Sequence, residues 1–462
     1  MEVLVVIAFI LGYVGITLEH SLKVDKLVPA LLMMVLAWVF VSLGMDGFTE
    51  WFSSSTSELI DITGLGDPER KALLQESLLH HFGKTAEILI FLLGAMTIVE
   101  IVDYFNGFSV IKTFIKTTSK RKLLWIISIL AFFLSSIIDN LTATIVLITI
   151  LRNLLDKRED RMWFAGLIIL SANAGGAWSP IGDVTTTMLW MADLVTTLKL
   201  MEYLFIPSLI NMLIPVIIAS FLPPFKGTFE LSKDNGEVNP KSKFMLYLGL
   251  SMIVFVPIFK TVFELPPYLG MMFSLAVVSI FGEFHSRRQM KVSHGGIITE
   301  VPKGDEQVIE HKSPTFLALS KIEMPSILFF LGILMAVAAM ESLGLIFNFG
   351  TAVQEVMHLD VFVIILGLAS AIIDNVPLVA ASMGMFDVVA NPTDSLVWHF
   401  IAYSAGTGGS ILIIGSAAGV VAMGMEKISF FWYMKRISLL ALIGFFAGAG
   451  FYLLERLLTG TM

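Results

Sequence analysis

Three acidic side chains in this sequence sit where acids are costly. Asp139, Asp374 and Asp183 each fall deep inside an apolar stretch that contains no Lys or Arg. A carboxylate at the centre of a membrane helix costs at least about 2.5–3.5 kcal/mol on the insertion scale, so each is expected to be protonated, paired or holding a cation. With no basic partner in the stretch, a proton or a metal ion is the natural counter-charge. Oxygen-rich neighbours favour a hard alkali cation over a soft metal. Around the first site these are Ser135, Asn140, Thr142, Asn173, Thr185 and Thr186; around the second they are Ser370, Asn375, Thr407, Ser410 and Ser416. Asp139 and Asp374 are the expected points of contact with such a cation. A helix N-cap is the simpler role for a lone Asp, but Ser would cap at lower desolvation cost. Glu100 and Asp103, one turn apart, read either as interfacial groups or as part of an ion pathway. No cofactor is expected, since cation and proton would be cargo.

The elements that must hold these groups follow from composition. The 462 residues are 56% hydrophobic and 15% charged, where soluble proteins carry about 25% charged residues. Apolar blocks with almost no charge predict an all-α polytopic membrane protein. That excludes a soluble enzyme, a nucleic-acid binder and a β-barrel, whose strands would alternate polar and apolar residues. Cys is absent, so there are no disulfides, thiolate metal sites or cysteine nucleophiles. The first apolar block, 3–18, has no basic n-region or small-residue cleavage site and reads as a retained span. His285, His294 and His311 read as part of a solvated loop.

Lys and Arg orient the loops. Segment 107–122 carries five basic residues and no acid, so it is expected on the cytoplasmic side; the acidic segment 46–86 is expected outside, with a short surface helix near Glu69–His80. Segment 152–161 is basic as well, so both ends of block 123–151 are cytoplasmic. That block is too short for two spans and reads as a re-entrant hairpin with Ser135-Ser136-Ile137-Ile138-Asp139-Asn140 at its tip. Both ends of block 361–388 lack Lys and Arg. It reads as a second hairpin, entering from outside, with Ser370-Ala371-Ile372-Ile373-Asp374-Asn375 at its tip.

The tip motif thus recurs 235 positions on. Ser171-Ala172-Asn173-Ala174-Gly175-Gly176, followed by Ile181-Gly182, recurs as Ser404-Ala405-Gly406-Thr407-Gly408-Gly409, followed by Ile414-Gly415. Two inverted repeats are expected, each with five spans, one of them interrupted, and one re-entrant hairpin, the usual plan of secondary transporters. Repeat 1 covers 1–222 (hairpin 123–151, interrupted helix 162–190) and repeat 2 covers 244–462 (hairpin 361–388, interrupted helix 399–425). A cytoplasmic linker, 223–243, joins them. Gly and Pro within the interrupted helices free backbone groups that need a cavity or an ion. An intramembrane aspartyl protease would need Gly-x-Gly-Asp, and Pro180-Ile181-Gly182-Asp183 lacks the first Gly. A rhomboid-like Gly-x-Ser-x-Gly is missing too, so an enzyme is not expected.

Paired tip motifs followed by Gly-rich interrupted helices resemble the ion transporter superfamily. Asp-Asn at both tips, with Ser-Ala-Asn-Ala-Gly-Gly-Ala-Trp-Ser-Pro-Ile-Gly-Asp-Val-Thr-Thr at 171–186, is similar to the NhaD-type sodium/proton antiporters. The resemblance implies Na+ or Li+ expelled in exchange for H+, a bacterial inner membrane, and a homodimer working by an elevator-like motion. It also implies functional roles for Ser135, Asp139, Asn140, Asn173, Asp183, Thr185, Thr186, Ser370, Asp374 and Asn375. The second half has Gly406 and Ser416 where the first has Asn173 and Asp183, which leaves open one shared ion site or two. An anion or metalloid transporter of the same superfamily is the alternative; its dicarboxylate carriers typically have neutral Ser-Asn-Thr tips, and an Asp at each tip would repel a carboxylate. The expected partners are therefore the bilayer, Na+, Li+, H+ and a second copy of the chain, with no nucleic acid.

Overall fold

The computed structural model describes residues 1–53, 58–229, 239–293 and 313–459. His294, His311 and part of the 223–243 linker lie outside the described residues. Sixteen principal helices follow in chain order among the described residues: α1 (Glu2–Thr17), α2 (Leu27–Gly44), α3 (Asp67–Tyr104), α4 (Lys120–Ile138), α5 (Asn140–Leu154), α6 (Arg158–Gly176), α7 (Val184–Met191) and α8 (Thr197–Ala219). Then come α9 (Pro240–Phe263), α10 (Pro267–Ser293), α11 (Met324–Ser342), α12 (Leu359–Ala369), α13 (Asn375–Met385), α14 (Leu396–Gly408), α15 (Ala417–Glu426) and α16 (Ser438–Thr459). Eight helices among the described residues are long and apolar enough to cross a membrane. The protein is a multi-pass helical membrane protein.

The chain divides into two compact units. One comprises 1–89, 117–232 and 324–462, and the other 90–116 and 233–323. The smaller unit packs α9 and α10 with the end of α3. There Gly94 faces Met271 and Met272, and Ser242 Oγ donates to the Phe105 carbonyl at 2.6 Å. The larger unit carries all the candidate site residues. At its centre α6 is buried without interruption from Trp163 to Gly176, and α14 from Val397 to Gly408. A helix that is apolar all round belongs in a protein interior, and these two end in the Gly-rich interruptions.

Two features depart from expectation. The surface helix near Glu69–His80 and the span after it are one continuous 38-residue helix, α3. The reason is local: Pro68 sits in the first turn, and the Glu, Lys, Ala, Leu and Gln that follow are strong helix formers. Gly83 lies in open space and breaks nothing. Before α3, two short strands, Glu50–Ser53 and Glu58–Asp61, pair antiparallel with Glu50 opposite Asp61. The buried Arg70 guanidinium anchors them by donating to the carbonyls of Met45, Phe48, Ile62 and Leu65.

The blocks expected to be hairpins each break at their Asp. Block 361–388 gives two 11-residue helices, α12 and α13. Block 123–151 gives α4, with 19 residues, and α5, with 15. At 1.5 Å per residue α4 is about 28 Å long, as long as a full span, whereas α5, α12 and α13 are too short to cross.

Two ties fix the far ends of the interrupted helices. Glu426, which ends α15, is 2% exposed and accepts from Arg152 Nε at 2.7 Å and Arg161 Nε at 3.0 Å. Arg152 also donates to the Met425 carbonyl, and Arg158 to those of Glu426 and Lys427. Guanidinium groups at a helix C-terminus answer both its open carbonyls and its dipole. Beyond α7, Asp394 accepts from Thr196 N at 2.7 Å and Oγ1 at 2.8 Å, and its own N–H donates to the Leu194 carbonyl.

Candidate functional site: a carboxylate cluster at four helix N-termini

Asp139, Asp183, Asp374 and Ser416 are the N-caps of α5, α7, α13 and α15. Each helix start carries roughly half a positive charge, which favours carboxylates there. This is how the sequence keeps acidic side chains at such depth.

Asp183 is the hub, at 2% exposure. Its Oδ1 accepts from Thr185 N at 3.0 Å and its Oδ2 from Asn140 Nδ2 at 2.8 Å. Asn375 Nδ2, from the second tip, lies 3.3 Å from Oδ2 and 3.5 Å from Oδ1. Asn140 also donates to Asn173 Oδ1 at 3.1 Å, and Asn173 donates to Ser416 Oγ at 3.0 Å. Side chains from both halves of the sequence therefore meet in one network. Asp139 and Asp374 cap the two tip helices α5 and α13, and among the described residues no three acids stand close enough together to form a ready-made metal-ion cage.

The two tip acids differ. Asp139 spends both oxygens on its own helix: Oδ1 accepts from Thr142 N and Oδ2 from Thr142 Oγ1, each at 2.8 Å. Its backbone, at φ 75° and ψ 158°, lies in a region essentially reserved for Gly and costs about 1–3 kcal/mol. Asp374 has an ordinary backbone and a single long N-cap contact from Val376 N, at 3.4 Å. Its Oδ2 stands 3.5 Å from Lys26 Nζ. The expectation that no base accompanies these acids fails here. Lys26 lies outside the hairpin block, just ahead of α2, so no reading of the local stretch reveals it.

The remaining candidates sort by their bonds. Ser135 Oγ donates to the Ala172 carbonyl at 2.6 Å and Ser370 Oγ to that of Ala405 at 2.8 Å, tying each tip to its interrupted helix. Thr186 donates to the Asp183 carbonyl, Thr407 to that of Tyr403, and Ser410 to that of Thr407. These three hydroxyls serve their own turns. Thr185 is fully buried, with its hydroxyl beside the Asp183 carboxylate. Glycines allow the close approach. A Cβ on Gly182 would lie 2.9 Å from the Ser135 carbonyl oxygen, and one on Gly415 2.6 Å from that of Ser370. A Cβ on Gly175 or Gly408 would collide with the carbonyls of Phe132 and Gly367. A cavity of about 250 Å³ reaches Asp374 and Ser416, with Tyr13, Glu19 and Lys26 along it.

The chain belongs to the citrate transporter family, whose sequence profile matches residues 6–401. Its relatives place it in the NhaD-named branch, in line with the motif at 171–186. It is 40% identical to sodium/proton antiporter 1 of Arabidopsis thaliana, over 98% of this chain and 72% of that protein. It is 30% identical to the Na+/H+ antiporter NhaD of Vibrio cholerae, over 92% of this chain and 86% of that protein. Among solved structures the YdaH transporter of Alcanivorax borkumensis shares the fold, with a TM-score of 0.54 and 10% identity over 92% of this chain and 97% of the other.

Proposed function

We propose that this protein is a secondary transporter exchanging Na+ or Li+ for H+ across its membrane, at one site centred on Asp183. The observation that carries this reading is a buried carboxylate contacted by amides from two tip motifs. Antiporter names among relatives covering nearly the whole chain support it. Asp183, Asp374 and Asp139 bind either protons or a dehydrated cation. Oxygens of Asn140, Asn173, Asn375 and Thr185 replace the cation's water. An arriving cation must displace protons from shared carboxylates, and that competition is the coupling.

One site per chain fits the asymmetry of the halves. Gly406, in the place of Asn173, offers no side-chain ligand, and Ser416, in the place of Asp183, answers Asn173. The matched contacts of Ser135 and Ser370, and of Gly182 and Gly415, support an inverted pair of repeats. A bacterial inner membrane, supported by the NhaD-named bacterial relatives, and a homodimer, expected from the resemblance alone, complete the proposal. Citrate, the family's namesake, would meet three carboxylates and is disfavoured.

The test is the purified protein in proteoliposomes carrying a pH gradient. Addition of Na+ or Li+ should dissipate the gradient, and K+, succinate or citrate should not. Dissipation by citrate without Na+, or none by Na+, would reject the reading.

A further inference from the structure

One difference between the two tip motifs falls three residues after the Asp. At the first tip that residue is Thr142, which supplies both an N–H and a hydroxyl to Asp139. At the second it is Pro377, which has neither to give. Asp374 is thus left with an oxygen that its own helix does not hold, and Lys26 stands beside it. The ammonium lies 3.5 Å from Oδ2 and 4.4 Å from the centroid of the Phe329 ring. A charge-assisted bond is normally about 2.7–2.9 Å, so this pair is loose. It is also not sealed off: the side chains keep 24% and 16% of their exposure, and the cavity lined by Tyr13, Glu19, Lys26, Asp374 and Ser416 reaches both.

We propose that Lys26 is a tethered cation that occupies Asp374 whenever no transported cation does. Na+ entering through this cavity displaces the ammonium, which stays charged and stays over the Phe329 ring, where the face of the aromatic ring attracts it. Lys26 then sets apparent affinity: every Na+ that binds must outcompete a positive charge already present. The inference rests on the cation-exchange reading above and deepens it by naming the competitor at one of its ligands.

The experiment compares Lys26→Gln and Lys26→Arg with the wild type in the full-length protein, by 22Na+ uptake into proteoliposomes and by equilibrium 22Na+ binding. Removing the charge should lower the Na+ concentration for half-saturation by about fivefold, the scale of a partly exposed ion pair. The change should appear in KM and in equilibrium binding, not as a proportionate rise in turnover. Lys26→Arg keeps the charge and should stay near the wild-type value. If Lys26→Gln does not purify as a monodisperse protein, Lys26→Met keeps the apolar stem and carries the same expectation. Unchanged or weaker Na+ binding in the neutral variant overturns the proposal, as does an Arg variant that behaves like Gln. Absence of Na+ exchange in the wild type would instead overturn the exchange reading, and this proposal with it.

Discussion

Asp183 and Asp139 both cap helices, yet they differ in what remains after capping. Asp183 gives one oxygen to Thr185 N and offers the other to amides from both tips; Asp139 gives both to Thr142. Sequence alone ranks Asp183 below the tip residues, because it sits on the interrupted helix. The geometry raises it to the centre, since it is the most buried of the three and the one that both halves contact. Asp183→Asn places a fourth amide among amide donors and removes the charge. Together with Asp374→Asn, it should weaken Na+ binding on the order of 100-fold while the protein still inserts and purifies. Asp139→Asn keeps the cap and loses the charge, so its effect should be smaller. Asp139→Ala should in addition cost about 1 kcal/mol of stability for the lost cap. Binding of 22Na+ and thermal unfolding in detergent separate the two effects. Equal, severe losses in Asp139→Asn and Asp183→Asn would mean that Asp139 carries cation as fully as the hub does.

The helices put these residues together through backbone-to-backbone proximity that only glycine permits. Gly182→Ala and Gly415→Ala would push a methyl against the Ser135 and Ser370 carbonyls, so each should cost about 1–3 kcal/mol and shift the tip from its site. Gly83→Ala, in open space within α3, should stabilise by about 0.5–1 kcal/mol and serves as the control. If all three alanine variants behaved alike, the close approach would have no energetic weight. The helices around these glycines were legible in the sequence because apolar block length, Gly clusters and Lys/Arg placement are local signals. So were the break positions at Asp139 and Asp374 and the Gly-rich interruptions within 162–190 and 399–425. The Lys26–Asp374 pair and the Glu426 clamp on Arg152 and Arg161 were not. Each joins residues more than 250 positions apart, and nothing in a local stretch encodes such a meeting. One local trace existed: Pro377 in place of Thr142 marks the tip whose acid its own helix leaves open.

At the scale of the whole molecule, the reading makes a topological and a titration demand. The chain has no Cys, so single cysteines report cleanly. Cys at 122 and 157 should react with impermeant reagent from one face only, and Cys at 356 and 389, both about 80% exposed, from the other. Opposite-side labelling within either pair would remove the hairpins. The titration demand follows from sharing one set of carboxylates between H+ and Na+. Where the carboxylates are ionised, Na+ meets no competitor but Lys26, and its apparent affinity should be independent of pH. As the pH falls and protons occupy the same oxygens, each Na+ bound must release them. The half-saturation concentration should then rise about tenfold per pH unit for each proton displaced. In Asp183→Asn the residual binding should lose part of that slope, because one of the proton acceptors is gone. Measured across pH 5.5 to 9.5 by 22Na+ binding, a flat wild-type affinity would mean that protons and Na+ use different groups, and that their coupling must run through conformation instead of competition.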